Sequence, residues 1–389
     1  MPDDRVVDLL KQLVGIESVN RAYPGGVGEA AMAVAVEAWA RDTGLRVERQ
    51  EVTRGQDNVL ITLDVPGATE TLLYEAHMDT VALAPMEDAL TPVVREGRLY
   101  GRGACDTKGS LAAMMVAMER LCEFRDQLEV NVALLAAVDE EHAFTGILRY
   151  VKSDAPAAAG VVGEPTDLQL VVAHKGCVRG EIQTVGRAAH SAEPHLGISA
   201  IDAMAEVLVT LRDLPERLGE QSHPLLGSPT FSVGLIEGGT GVNVVPERCT
   251  ITYDRRTLPR ERAAGVLAEL DAELGRVRAR RPNVRVERPE PRLIDEGLDT
   301  LPNAPLVLAA SAACEAARVG GTPVGVPYGT DASKLQVHRG IPAIVFGPGS
   351  IAQAHGADEF VPIEHLHRAV EVYAGIALRF RSDSGGSQS

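Results

Sequence analysis

The run VNVALLAAV at 130–138 is almost continuously apolar, and without any spacer it becomes Asp139-Glu140-Glu141-His142. It is too short for a membrane span, which needs ~20 residues. It has neither the alternation of a half-exposed strand nor the period of an amphipathic helix. It reads as a strand buried on both faces, and such a strand requires a sheet covered by helices on both sides. AGVVG at 159–163 and IPAIVFG at 341–347 have the same character. Shorter strand-like runs, LRVERQEV, NVLITLDV and TLLYEAHMD, precede them. Helical spacing appears at Val6, Leu9, Leu10, Leu13 and Val14, and again through Leu111, Met114, Met115, Met118, Leu121 and Cys122.

The middle of the chain reads differently. VRGEIQTVG is strand-like, 198–214 helical, SPTFSVGLIEGG and CTITYDRR strand-like, 260–280 helical, and NVRVERPEP a last strand. That order, β-α-β-β-α-β, is the ferredoxin-like pattern and makes a unit by itself. The expected organisation is a discontinuous α/β domain, 1–177 and 291–381, whose mixed sheet is flanked by helices. It carries an inserted α+β domain at 178–290. The last residues, 382–389, read as a disordered tail.

Charge narrows the partners. Lys and Arg number 38 against 54 Asp and Glu, a net charge of −16, whereas nucleic acid or an anionic membrane demands a basic footprint. The start, MPDDRVVDLLKQLVGI, is acidic and helix-patterned and lacks the features of a secretory signal. The five cysteines are odd in number and widely spaced, with no CxxC, which fits reduced thiols and a cytoplasmic location.

Chemistry-bearing residues gather where the apolar runs end. His77 and Asp79 in AHMD share one face, as a metal ligand and its orienting carboxylate would; a surface histidine beside a turn-forming aspartate gives the same pattern. Asp106 in GRGACDTKGS precedes a helix, where it reads either as a carboxylate projected into a cleft or as a helix cap. Three successive carboxylates at 139–141 repel one another unless a cation or water neutralises them; a solvated acidic loop is the alternative. Glu164 in GEPTD and His355 in GPGSIAQAH are unexceptional singly. Together, two histidines and three carboxylates (Asp106, Glu141 and Glu164) at one edge of an open sheet form an N/O donor set suited to zinc, cobalt or manganese.

The ordered motifs HMDTV, GRGACDTKG, DEE, GEPTD and the late AH closely resemble the co-catalytic zinc metallopeptidase family. That family includes acetylornithine deacetylase, succinyl-diaminopimelate desuccinylase, aminoacylase and glutamate carboxypeptidase, and the resemblance spans essentially the whole chain. It implies two zinc ions, replaceable by cobalt or manganese, bridged by Asp106. His77 and Glu164 complete one site, Glu141 and His355 the other. Glu140 is implied as the general base, Asp79 as the residue that orients His77, and the peptide after Asp106 as cis. The insert is implied to be a lid and dimerisation domain. From it His190 would reach an active site, the partner's in dimeric members, while Asn243 and Arg256, with Gly329 and Thr330 of the TD segment, would bind substrate.

The implied activity is removal of the acyl group from an N-acyl amino acid through a metal-activated water. A dipeptidase or carboxypeptidase with the same two metals is the second reading, and an inactive binding homologue the third. The presence of all five ligand positions and Glu140 speaks against the third. Expected partners are a small N-acyl amino acid or short peptide and a second copy of the chain, with neither nucleic acid nor membrane.

Overall fold

The apolar runs lie in the middle of one mixed sheet. In the computed structural model residues 4–382 are described, so the expected tail lies, apart from Ser382, outside the described residues. Across the sheet the strands run Arg46–Thr53, Gln56–Leu63, Asn131–Ala137, Thr71–His77, Ala159–Val162, Ala343–Val345, Val171–His174 and Leu298–Asp299, with Val324–Val326 also paired to Val171–His174. Thr71–His77 is parallel to both its neighbours, and Ala343–Val345 continues the parallel set. The first two strands form an antiparallel hairpin at the edge, where the polar sequence RVERQEVT has one side in solvent.

Side chains alternate across this sheet as the pleat requires. Leu72, Tyr74 and Ala76 enter an apolar core with Leu111, Met114, Met115, Val370 and Tyr373. The helices that supply this core, Arg5–Val14, Lys108–Glu123, Pro305–Ala316 and Ile363–Arg379, pack on one another. Leu73 and its cross-strand neighbour Gly160 face the other way, where a Cβ on Gly160 would collide with Leu335 of the helix Ala332–Arg339. That helix and Thr145–Val151 form the second layer. Glu75 and His77 share the side of Leu73. Lys108–Glu123 is buried from its first residue to Met118, and each large apolar side chain so covered contributes about 1.5–3 kcal/mol.

Two helices give no clear period in the sequence, Ala30–Asp42 and Pro305–Ala316, because alanine is compatible with either side of a helix. The run at 341–347 forms strand only over Ala343–Val345. A small three-stranded sheet, Val93–Arg95, Arg98–Tyr100 and Phe360–Pro362, also carries no marked pattern; it joins the segment before Asp106 to the segment after His355.

The chain divides into two compact units. Among the described residues, one takes 4–172, Asp299–Val324 and 330–382; the other takes Ala173–Leu298 and Gly325–Gly329. The second unit therefore extends beyond the expected 178–290. Its ladder explains the difference: Leu293–Asp295 pairs with Gly176–Val185, Leu293 opposite Arg179, which ties the chain to this unit past residue 290. Its sheet runs Thr230–Gly238, Arg248–Thr257, Gly176–Val185 and Arg285–Glu287, antiparallel throughout. The helices Ala200–Leu211 and Ala263–Arg280 close its own core around Ile182, Met204, Val207, Ile251, Leu270 and Leu274. The expected helix at 198–214 breaks before Leu214–Leu218, which carries Pro215 in its first turn. The edge strand Thr230–Gly238 leaves Leu235 and Ile236 62% and 57% exposed.

Candidate metal centre

Register brings the site together within the first unit. His77 ends its strand opposite Ala137, and Glu75 lies opposite Val162, so Glu164 follows at the level of His77. Asp106 reaches the same edge from the loop ahead of Lys108–Glu123, and the Asp106–Thr107 peptide is cis. His355 comes from a turn ten residues past Ala343–Val345, with φ +62°.

The acidic run is not three equivalent carboxylates. Asp139 adopts φ +63°, which ends the strand alternation. Its carboxylate accepts from Asn20 Nδ2 at 2.9 Å and Thr145 Oγ1 at 2.6 Å. The next two backbone amides turn toward Asp79, whose Oδ1 accepts from Glu140 N and Oδ2 from Glu141 N, each at 3.1 Å. Asn20 Nδ2 donates to Asp79 Oδ2 as well, at 2.8 Å. Asp79 thus holds the segment bearing Glu140 and Glu141. Toward His77 Nδ1 its nearer atom is its backbone carbonyl oxygen at 3.0 Å, with Oδ1 at 3.5 Å.

Asp106 lies between the two histidines. Its Oδ1 is 3.0 Å from His77 Nε2 and its Oδ2 is 3.2 Å from His355 Nε2. His355 Nε2 is also 3.2 Å from Glu141 Oε1, and His77 Nε2 is 4.0 Å from Glu164 Oε1. Ligand atoms of His77, Asp106 and Glu141 lie within 4.8 Å of one another, as do those of His77, Glu140 and Glu164. Burial, followed by the charge of Glu164, pushes the Glu140 carboxyl well up; burial and Asp106 do the same to Glu164. Glu141 is raised by burial and then Asp106. Burial opposes the charged forms of Asp106 and His77, yet the histidines hold Asp106 low, and hydrogen bonds to Asp106 and Asp79 hold His77 high. His355, bonded to Asp106 and Glu141, is raised to about 10. Buried carboxylates crowded this closely are costly unless cations neutralise them, and the imidazole–carboxylate set has the hardness that zinc, cobalt or manganese takes. The residues fit two divalent ions.

Of the expected substrate residues, four belong to the second unit and one to the first. His190 and Asn243 are exposed neighbours in the second unit: the Ala189–His190 strand pairs with Val244–Val245, and Ser191 N donates to Asn243 O at 2.9 Å. Arg256 stands on a different strand, its Nε donating to Asp254 at 2.9 Å. Gly329 belongs to the second unit, where the Asp295 carboxylate occupies the space a side chain would need. Thr330 belongs to the first unit and is fully buried. Burial raises Glu75 most, followed by the charge of the adjoining Asp331, which also adds to the rise that burial gives Glu140 and Glu164.

Several residues of this region have no motif of their own in the sequence. Asn20 meets Asp79 and Asp139 across separations of 59 and 119 positions. Glu75 is 1% exposed on the His77 side of its strand, and among the described residues its Oε1 has no hydrogen-bond partner. Tyr23 is raised by burial and then by the charges of Glu141 and Asp79. Only Glu75 has a sequence cue: an ionisable residue inside an otherwise apolar strand, two positions before a candidate ligand.

The profile of peptidase family M20/M25/M40 matches residues 73–379, and the chain belongs to that family. It is a metal-dependent hydrolase of amide bonds. Over 388 residues it is 30% identical to an acetylornithine deacetylase of Vibrio parahaemolyticus, covering 96% of this chain and 98% of the relative. Over 320 residues it is 35% identical to an acetylornithine deacetylase of Myxococcus xanthus, covering 79% and 80%. Among solved structures, a tripeptidase from Staphylococcus aureus superposes with a TM-score of 0.79 at 21% identity, over 96% of this chain and 97% of that one. A dinuclear metal-binding peptidase from Bacillus subtilis gives 0.72 at 16% identity, over 96% and 97%.

Proposed function

We propose that this chain removes the acyl group from an N-acyl amino acid, as the names of its deacetylase relatives describe, using two zinc ions that cobalt or manganese can replace. The observation that carries this reading is the Asp106 carboxylate, whose two oxygens face different histidines, with Glu141 beside one and Glu164 beside the other. His77, Asp106 and Glu164 would hold one ion, and Asp106, Glu141 and His355 the other. Bound there, such ions supply Lewis acidity and bring the pKa of a water toward neutrality. Glu140 takes the proton as the water oxygen attacks the amide carbon, and delivers it to the amine as the C–N bond breaks. Asp79 keeps Glu140 in place through its backbone amide.

The second unit supports a lid reading. Its strand order and β-α-β-β-α-β succession match a ferredoxin-like domain, and its apolar edge strand offers a surface for pairing with a second copy. Lys175, Arg179 and Arg256 cluster there. Arg179 and Arg256 share Asp254, while Lys175 is lowered by burial and then by the charge of Arg256. That cluster suits the carboxylate of an amino acid, with His190 and Asn243 contacting the acyl-amide and Gly329 and Thr330 shaping the pocket. The five free cysteines support a cytoplasmic location, and the net charge of −16 supports the absence of a nucleic-acid or membrane partner.

Deacylation takes precedence over peptide cleavage because a deacetylase relative matches at 30% identity over 96% of this chain and 98% of its own, whereas a probable carboxypeptidase, at 31% identity, matches over 84% and 78% and keeps peptide cleavage as the second reading. The deciding experiment combines metal analysis with amine release from N-acetyl and N-succinyl amino acids and from dipeptides. Fastest release from an N-acyl substrate, abolished by chelation and restored by zinc or cobalt, is the expected outcome. Cleavage of dipeptides alone would move the assignment to a peptidase. Bound metal without turnover of any substrate would leave a binding protein.

A further inference from the structure

Arg102 and Glu359 are both 1% exposed, and neither is among the residues that face the two histidines. Burying a charged pair is worthwhile only when its remaining hydrogen-bond capacity is used, and here almost all of it goes to the loops that carry the site. Arg102 Nη1 donates to Glu359 Oε2 at 2.6 Å. Its Nε donates to the carbonyl of Ala82 at 3.0 Å, and Nη2 to those of Leu83 at 3.4 Å and Gly356 at 3.3 Å. The other oxygen of Glu359, Oε1, accepts the backbone N–H groups of Cys105 and Asp106, each at 3.0 Å. The Glu359 carbonyl also accepts from Gly101 N at 3.2 Å.

Three loops therefore meet on one ion pair: the loop that follows His77 and Asp79, the loop that presents Asp106, and the loop that presents His355. Resting on the two-ion reading above, we propose that Arg102 and Glu359 are positioning residues that set Asp106 and His355 at ligand spacing before any cation arrives. The geometry assigns them separate parts. Glu359 fixes the backbone of Asp106, the residue common to both ion positions. Arg102 pins the carbonyl next to His355, which serves one position. His355 depends most on such support, since its side chain is half exposed and its backbone has positive φ. A lysine at 102 would keep the charge but not the planar fork that reaches several carbonyls at once. A glutamine at 359 would keep the shape but place an NH2 against either Arg102 or the two amides.

The test is titration of metal-free protein with Co2+, following heat and the visible spectrum of the bound ion, for the parent, Arg102→Lys and Glu359→Gln. The parent should bind two equivalents. Arg102→Lys should weaken one equivalent by about 10–100-fold, the usual effect of losing an outer partner of a ligand, and leave the other near its parent value. Glu359→Gln should weaken both. Circular dichroism and melting of the metal-free proteins separate this from general unfolding: a merely structural role would lower melting without changing Co2+ affinity or spectrum. Variants that fold and bind both equivalents within twofold of the parent would overturn the proposal. A parent that binds no Co2+ would overturn the two-ion reading itself, and this inference with it. Should neither variant fold, amide exchange in the unaltered metal-free protein decides. Protection of the Cys105 and Asp106 N–H groups before cation is added supports a preset loop, and free exchange until loading refutes it.

Discussion

Glu140 and Glu141 are chemically identical neighbours, and the division of labour between them comes from what surrounds each. Glu141 reaches His355 at 3.2 Å, whereas Glu140 is half-buried with its carboxylate within ligand distance of His77 and Glu164. Glu140→Ala is expected to retain both ions and lose about 10²–10⁴ in kcat, the range of general acid–base catalysis. Glu141→Ala should lose an ion as well as rate. Metal analysis of the two variants checks this, and the reverse pattern would exchange their roles, since Glu140 also lies within ligand distance of His77 and Glu164. His365 tests electrostatics away from the ions. Its Nδ1 accepts from Gly349 N at 3.4 Å, and burial holds its pKa below the ordinary value. Since the unfolded chain takes up that proton first, the stability tied to neutral His365 is complete above about pH 6.5 and is lost as pH falls through the folded pKa. Urea midpoints from pH 8 to 5 should therefore fall more for the parent than for His365→Gln; parallel curves would contradict this.

At the level of elements, the site depends on how closely the strand Ala159–Val162 approaches the helix Lys108–Glu123. Gly163 lies at that crossing: a Cβ there would sit 2.7 Å from Ser110 Cβ and 3.0 Å from Met114 Cε. The helix backbone cannot give way cheaply, because the helix is buried on every side there. Gly163→Ala should cost about 1–3 kcal/mol by overpacking and shift Glu164, the next residue. Denaturant midpoints together with Co2+ affinity test both parts, and an unchanged affinity would show that Glu164 tolerates the shift. The strands and the helix that carry the ligands follow from apolar patterning, because burial on one face or both imposes a period on the sequence. The loops between them do not, because their hydrogen bonds join residues far apart: the amides of Cys105 and Asp106 end on a carboxylate more than 250 positions later.

For the whole molecule, the strongest expectation concerns the exposed edge Thr230–Gly238 and His190. If two copies pair through that edge, His190 completes the partner's site. Mixing inactive His190→Ala with inactive Glu140→Ala under conditions of subunit exchange should then restore activity, since one site of each heterodimer carries neither lesion. Confirmed exchange without recovery would place His190 in its own chain's site, and a monomer at working concentration would remove the basis for pairing.

Hydrophobic runs and five short motifs sufficed to indicate a helix-flanked sheet, an inserted α+β segment and a cluster of metal-type donors at the ends of strands. Those features are local: each rests on a residue's own neighbours in the chain and on whether a run is buried. Only the tertiary structure decided that the second unit holds on to residues 291–298, through a ladder with a strand more than 100 positions earlier. It also decided that Asp139 turns aside to Asn20 and Thr145, and that Asp79 bonds the amides of Glu140 and Glu141. The buried Arg102–Glu359 pair gathers three loops in the same way. These arrangements are set by which groups are left unsatisfied when distant segments are buried together, and a one-dimensional pattern carries no record of that.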